Sequence, residues 1–349
     1  MSNTLAIITA AVAAFGITAA LGIVLIPWLR KLHFGQTILD IGPSWHKTKQ
    51  GTPIMGGLLF IIGICVSFVL TAVTVSLTKG PSLEAASTVL PGSDIALLAG
   101  GIFLALGSAV IGFADDYIKA VKKQNLGLSA KQKTGAQLLV GIAYLITLYM
   151  SHNTWWYIPF LGKVDVAHVA FGIPFWILGL FIVYSAMNSV NLTDGVDGLC
   201  SSVTAVVALT FIIVGTLQKF LGLGILAASV LGGCLGFLVW NWNPAKIFMG
   251  DTGSLFLGGV VAAMAFAMKS PIMLLLIGIV YVCETMSDII QIAYFKLTHG
   301  KRVFKMAPIH HHFELCGWKE KKICVVFSIV SLIGCTAAVL LIYFGECYS

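Results

Sequence analysis

Four short polar segments carry the residue types that could do chemistry: FADDYIK (113–119), NSVNLTDGVDGL (188–199), NPAKIFMGDTGSL (243–255) and KMAPIHHHFE (305–314). Asp115 and Asp116 are adjacent carboxylates beside an apolar run. Such a pair is costly to keep ionised at a membrane edge unless a cation is near. Mg²⁺ suits it, because that ion takes one or two carboxylates and completes its shell with water and phosphate oxygens. A solvated helix end, with Lys119 one turn away, is the plain alternative. Asn188, Asn191, Asp194 and Asp197 recur every third residue, and Gly195 and Gly198 favour a loop after Asp194. Their amides and carboxylates could hold a sugar or a nucleobase, or simply form Asx turns and helix caps. Asp251 would need no further reason as a cap. Yet Asn241, Asn243, Lys246 and Phe248 precede it, and a helix start that attracts anions suits a bound diphosphate. His310, His311 and His312 are consecutive, so regular structure cannot aim all three at one point. One or two could meet phosphate as donors. The basic loop around Lys301, Arg302 and Lys305 could instead touch lipid headgroups.

These segments need elements to hold them on one side of a membrane. The chain has 349 residues, 58% hydrophobic and only 10% charged. Its mean hydropathy is +0.96. A soluble chain carries roughly a quarter charged residues. About ten apolar runs are long enough to span a bilayer. They lie near 5–28, 52–78, 93–113, 134–150, 168–187, 201–217, 222–240, 254–268, 270–297 and 323–345. The chemistry-bearing residues therefore fall at helix ends or in loops. Loops after odd-numbered runs hold 17 Lys and Arg, and the other side holds 4. Basic loops mark the cytoplasmic face, so both termini are expected outside and the polar segments inside. The net charge of +7 thus has a membrane explanation, and no nucleic-acid partner is implied. The expectation is a single polytopic all-α membrane domain over 1–349, without a cleaved leader. The aromatic loop 151–167 is compatible with a small outer hairpin near 155–166.

Run 270–297 is longer than a bilayer core needs, which predicts tilt, a break or an extension. Inside it Glu284, Ser287, Asp288 and Gln291 form a polar stripe, either lining a groove or packing as a buried network. Lys47, Lys49 and Thr52 open run two, where lysines can reach a phosphate or snorkel to the interface. The eight cysteines are scattered without a CxxC pair, so neither a disulfide framework nor a zinc ribbon is indicated.

Taken in order on this topology, FADDYIK, NSVNLTDGVDGL, NPAKIFMGDTGSL and PIHHHFE resemble the phospho-MurNAc-pentapeptide translocase family, within the polyprenyl-phosphate N-acetylhexosamine-1-phosphate transferase superfamily. The resemblance runs from about His46 to Trp318. The histidine segment discriminates best, and the Asp-Asp pair is shared across the superfamily. One departure is TPIMGG at 52–57, where the family usually reads TPTMGG. The resemblance implies a bacterial inner-membrane enzyme with a cytoplasmic active site. It would transfer phospho-MurNAc-pentapeptide from its UDP carrier to undecaprenyl phosphate, with Mg²⁺, in peptidoglycan synthesis. On the matching residues it implies Asp251 as a metal ligand, joined by Asp115 or Asp116, with Asp115 as any general base. Asn188, Asn191, Asp194, Asp197, Asn241 and Phe248 would hold uridine and ribose. Lys47, Lys49, Thr52, Lys119, Lys122, Lys131 and Lys133 would contact substrate, chiefly phosphate. His310, His311 and His312 would orient phosphate or sugar. Membrane lipid is the implied surrounding, and a homodimer is left open. A UDP-GlcNAc transferase of the same superfamily remains an alternative. So does an ion-coupled transporter using Glu284 and Asp288, although transporters place such sites near the midplane, in repeated halves.

Overall fold

The computed structural model describes residues 1–31, 49, 51–78, 92–122 and 126–345. Among the described residues, nine helices are long and apolar enough to cross a membrane. They are α1 (Asn3–Lys31), α2 (Gly57–Thr78), α3 (Gly92–Lys122), α4 (Ala130–Met150), α5 (Ile173–Thr193), α6 (Leu199–Leu217), α7 (Leu221–Asn241), α8 (Gly250–Ala267) and α12 (Glu320–Phe344). A tenth span is broken. A 3₁₀ turn and the short α9 (Leu274–Ile277) meet α10 (Ile279–Leu297) at 82°. Run 270–297 is thus bent at Gly278, where α9 ends and α10 begins. The short α11 (Ile309–Leu315) carries the three histidines.

Small residues decide which helices lie inside. In the most apolar stretch of α8, 89% of residues are buried, against 22% in α1. Gly232 and Gly236 on α7 let α1 approach until an added Cβ would meet the carbonyls of Ala11 and Phe15. Close backbone approach through small residues is how helices associate where lipid offers no hydrophobic gain. The most extensive pairing is α3 on α8. Gly101 faces Ala263, Gly259 faces Ser108, and Gly112 lies on the Asp251 backbone. This contact carries Asp115 and Asp116 to the start of α8.

The sequence pattern placed Asp115 and Asp116 just beyond an apolar run. They lie instead within α3, which continues to Lys122, because the partners described below satisfy their side chains. At the other end of α8, strands β1 (Trp155–Ile158) and β2 (Gly162–Asp165) pair antiparallel, with Trp155 opposite Asp165 and Ile158 opposite Gly162. The hairpin is fastened to the chain after α8 by Tyr157 N–H to the Lys269 carbonyl at 2.7 Å. The Lys163 and Lys269 ammonium groups lie 4.1 and 3.9 Å from the Trp155 ring centre. Eighteen residues of α8, about 27 Å at 1.5 Å per residue, separate hairpin from polar site.

Candidate active site

Asp116 organises the site without facing solvent. It is 3% exposed. Its Oδ1 accepts from Asp251 N–H at 3.1 Å, and its Oδ2 accepts from Thr252 N–H at 2.9 Å and Thr252 Oγ1 at 2.7 Å. These amides belong to the first turn of α8, whose N–H groups have no partner within their own helix. A carboxylate from α3 therefore caps α8 and fixes where Asp251 points. Gly250 makes the approach feasible: its φ is +70°, and an added Cβ would overlap the Asp116 carboxylate.

Asp251 collects partners from three helices, two of them charged. Its Oδ2 accepts from Lys119 Nζ at 2.9 Å and Lys133 Nζ at 3.0 Å. Its Oδ1 accepts from Asn191 Nδ2 at 2.7 Å, and the same amide reaches Ser254 Oγ. Lys119 also pairs with Asp115 Oδ2, while Asp115 Oδ1 accepts from Leu128 N–H at 2.8 Å. Oxygens of Asp115, Asp116 and Asp251 lie within 4.8 Å of one another. Hard oxygen donors on three carboxylates fit Mg²⁺ far better than a soft or thiolate-seeking ion. Both Asp116 oxygens are held by backbone and hydroxyl donors of α8, whereas Asp251 and Asp115 each face a lysine ammonium on a side chain that can move aside, so those two are the fitter ligands.

Beside this cluster the loop between α5 and α6 carries two acids with different jobs. Asp197 is buried, and both oxygens are engaged. Oδ1 pairs with Lys49 at 2.7 Å, and Oδ2 accepts from Asn243 Nδ2 at 3.2 Å and Ala245 N–H at 3.0 Å. Lys49 also pairs with Glu320 at 2.7 Å. Burial opposes the Lys49 charge, but the bonds to Asp197 and Glu320 outweigh it and raise its pKa. Asp194 is half-buried. Burial, then the Asp251, Asp116 and Asp197 carboxylates, pushes its pKa well above the ordinary range, with Lys49 pulling the other way. Asn241 bonds Gly198 N–H and the Ile247 carbonyl, and Asn188 trades bonds with Gln137. Both hold the frame. Thr52 and the Phe248 ring are half-exposed beside the cluster's loops. Phe248 N–H donates to the Pro53 carbonyl, and Ile54 packs in the core. Lys122 and Lys131 are exposed at the end of α3 and the start of α4. Lys47 lies outside the described residues.

The histidines point three ways, as consecutive residues on a helix must. His310 Nδ1 meets Glu284 Oε2 at 3.0 Å, His311 Nδ1 meets Glu314 at 2.6 Å, and His312 Nδ1 accepts from Lys305 N–H at 3.1 Å.

Residues 95–269 match the model of Glycosyl transferase family 4. Over 340 residues the chain is 46% identical to a phospho-N-acetylmuramoyl-pentapeptide-transferase of Bacillus mycoides, covering 97% of each chain. Proteins of the same name from Bacillus thuringiensis and Bacillus cereus match equally well. The chain belongs to the phospho-N-acetylmuramoyl-pentapeptide-transferase family. In this member of the family, several residues that build the site escaped sequence reasoning. Thr252 and Ser254 looked like ordinary helix-start residues. Gln137 is an amide inside an apolar run, a signal in itself. Glu320 reads as a first-turn acid and gives no hint of Lys49, 271 residues away.

Proposed function

We infer that the protein transfers phospho-MurNAc-pentapeptide from its UDP carrier to undecaprenyl phosphate, forming lipid I and UMP. The observation that carries this reading is the carboxylate cluster of Asp115, Asp116 and Asp251, faced by Lys119 and Lys133, in a chain of this family. One substrate is a water-soluble nucleotide sugar and the other is a lipid with its phosphate at the interface. A site at one end of a helix bundle meets both. The 17 to 4 distribution of Lys and Arg supports a cytoplasmic site in the bacterial inner membrane, with both termini outside.

An oxygen of the lipid phosphate attacks the sugar-bearing phosphorus of the pyrophosphate. A new P–O bond forms there, the bond to the UMP phosphate breaks, and the electron pair leaves with UMP. Asp251, with Asp115 beside it, would hold Mg²⁺, and the bound ion would supply charge neutralisation on the diphosphate. Lys119 and Lys133 add fixed positive charge to the same phosphates. Asp115 accepts the proton of a lipid phosphate that arrives protonated. Asp116 and Asn191 hold Asp251 in register. Asp194, Thr52 and the Phe248 ring offer uridine and ribose a polar edge and a stacking face, while Asn188, Asn241 and Asp197 keep their loops in place. Exposed Lys122 and Lys131 draw anionic substrate inward.

The test is direct. Purified protein with UDP-MurNAc-pentapeptide, undecaprenyl phosphate and Mg²⁺ releases UMP. Absence of UMP, or equal turnover of UDP-GlcNAc, overturns the assignment. UMP release without lipid phosphate would indicate a phospho-Asp251 intermediate, and its strict dependence on lipid would indicate direct transfer.

A further inference from the structure

His310 and Glu284 form a buried pair from two separate elements, α11 and α10. His310 is 1% exposed and Glu284 is 0% exposed. Glu284 Oε2 approaches both His310 Nδ1, at 3.0 Å, and His310 N–H, at 3.5 Å. Oε2 already accepts from the His310 backbone N–H, and the same oxygen accepts from Nδ1 when Nδ1 is the nitrogen that carries hydrogen. That leaves His310 Nε2, which is buried and has no hydrogen-bond partner. Unpartnered buried polar atoms are rare and call for an explanation. Nε2 is aimed at Gly195, in the turn after Asp194. A Cβ added to Gly195 would overlap Nε2, the nearest atom of the ring. The residue that α10 holds by one nitrogen therefore presents its other nitrogen to the loop that carries Asp194 and Asp197.

We propose that Glu284 is a positioning residue for the transfer reaction: it fixes the tautomer and the aim of His310, so that Nε2 is held at the Asp194–Gly195 turn ready to accept from a substrate hydroxyl. The proposal rests on the transferase reading above. It explains why a carboxylate deep in an apolar helix is oriented at all. Burying it costs free energy unless it is bonded, and the bond it makes is to a histidine next to the polar site. The other titratable groups facing His310 are Asp288 on α10 and His311, whose ring centre is 4.1 Å away.

The experiment compares Glu284→Gln, Glu284→Ala, Glu284→Asp and His310→Ala in full-length protein, reading UMP release over a titration of the nucleotide sugar. Loss of tautomer control in a catalytic histidine can cost up to about 10⁴ in kcat, and a histidine's orienting partner more commonly about 10–100-fold. The expectation is a kcat loss of about 100-fold for Glu284→Ala, with KM for the nucleotide sugar changed less than about 3-fold. Glu284→Gln loses less, because its carbonyl can still accept from Nδ1, and Glu284→Asp recovers part of the rate. In ¹⁵N-histidine spectra, one imidazole changes its Nδ1/Nε2 pattern. Full kcat and an unchanged ¹⁵N-histidine pattern in Glu284→Gln and Glu284→Ala would overturn the proposal. So would a uniform loss in all three Glu284 variants that tracks their thermal unfolding. Failure of the transferase reading would look different, since the unaltered protein would then release no UMP.

Discussion

Replacing Asp251 by Asn keeps shape and removes one charge. In the cluster, three carboxylates face the two ammonium groups of Lys119 and Lys133, leaving one net negative charge. Asp251→Asn makes that sum zero, so attraction for a divalent cation largely disappears. A unit charge pair at 4 Å is worth about 4 kcal/mol at an effective dielectric of 20, and a divalent ion doubles it. The retained amide oxygen and partial solvent access at Asp251, where the side chain is 18% exposed, return about half of that. A net loss of about 4 kcal/mol is about 10³ in rate. The fold should persist, because Asn191 can still donate to the remaining oxygen and Asp116 still caps α8. The assay is UMP release over a Mg²⁺ titration, with thermal unfolding in detergent as the control. Activity within tenfold of the unaltered protein at the same Mg²⁺ concentration would refute the electrostatic argument and the metal assignment together.

The two adjacent aspartates should behave differently. Asp116→Asn sets an NH₂ group against at least one of three donors, and we expect about 2–4 kcal/mol of destabilisation, read as a lower unfolding temperature. Asp115→Asn loses mainly the Lys119 pair and should cost about 1–2 kcal/mol while still slowing UMP release. Gly250→Ala, strained at φ +70° and overlapping Asp116, should lose activity even in protein that remains folded. The Lys49 cluster gives a pH signature. Because its folded pKa is raised above 10.5, its stabilisation is complete below that value and fades as pH rises through the folded pKa. Lys49→Met should therefore be less stable at neutral pH and show less alkaline loss than the unaltered protein, measured by unfolding between pH 8 and about 12. Chelation by EDTA should abolish UMP release, and Mg²⁺ should restore it.

The spans were legible because a bilayer imposes a length that apolar runs must meet, and the broken tenth span because 28 residues exceed it. The hairpin was legible from aromatic strands around Gly162. The identities of Asp115, Asp116, Asp251 and His310 stood out because charged and titratable side chains are expensive beside lipid. What each does was harder to read. Asp116 and Asp115 are adjacent and chemically identical, yet one caps another helix and the other faces Lys119. That division depends on the direction of each side chain on α3 and on the packing of Gly112 against α8. Asp197 and Asn188 are expected from their spacing to hold ligand, and the spacing says nothing of their partners within the protein. Their actual bonds, to Lys49 and Gln137, arise from contacts 148 and 51 residues away, which no local pattern contains.

Asp194 connects this frame to chemistry. It lies just beyond the end of α5, and its carboxyl is held well above its usual range by burial and by Asp251, Asp116 and Asp197. Two lysines at Asp251 and one at Asp197 do not cancel the negative potential there. Carboxylates gathered this closely would be expected to repel one another apart unless the surrounding helices over-determined their positions. The glycine contacts of α3 on α8 and the Asp116 cap provide that rigidity. The result is a cluster in which three carboxylates, Asp115, Asp116 and Asp251, face the two ammonium groups of Lys119 and Lys133, one positive charge short of balance. A pocket tuned instead to transport a monovalent ion would need its acids near mid-span, whereas here Asp115, Asp116, Asp194 and Asp251 all lie at one end of the bundle, on the side away from the hairpin.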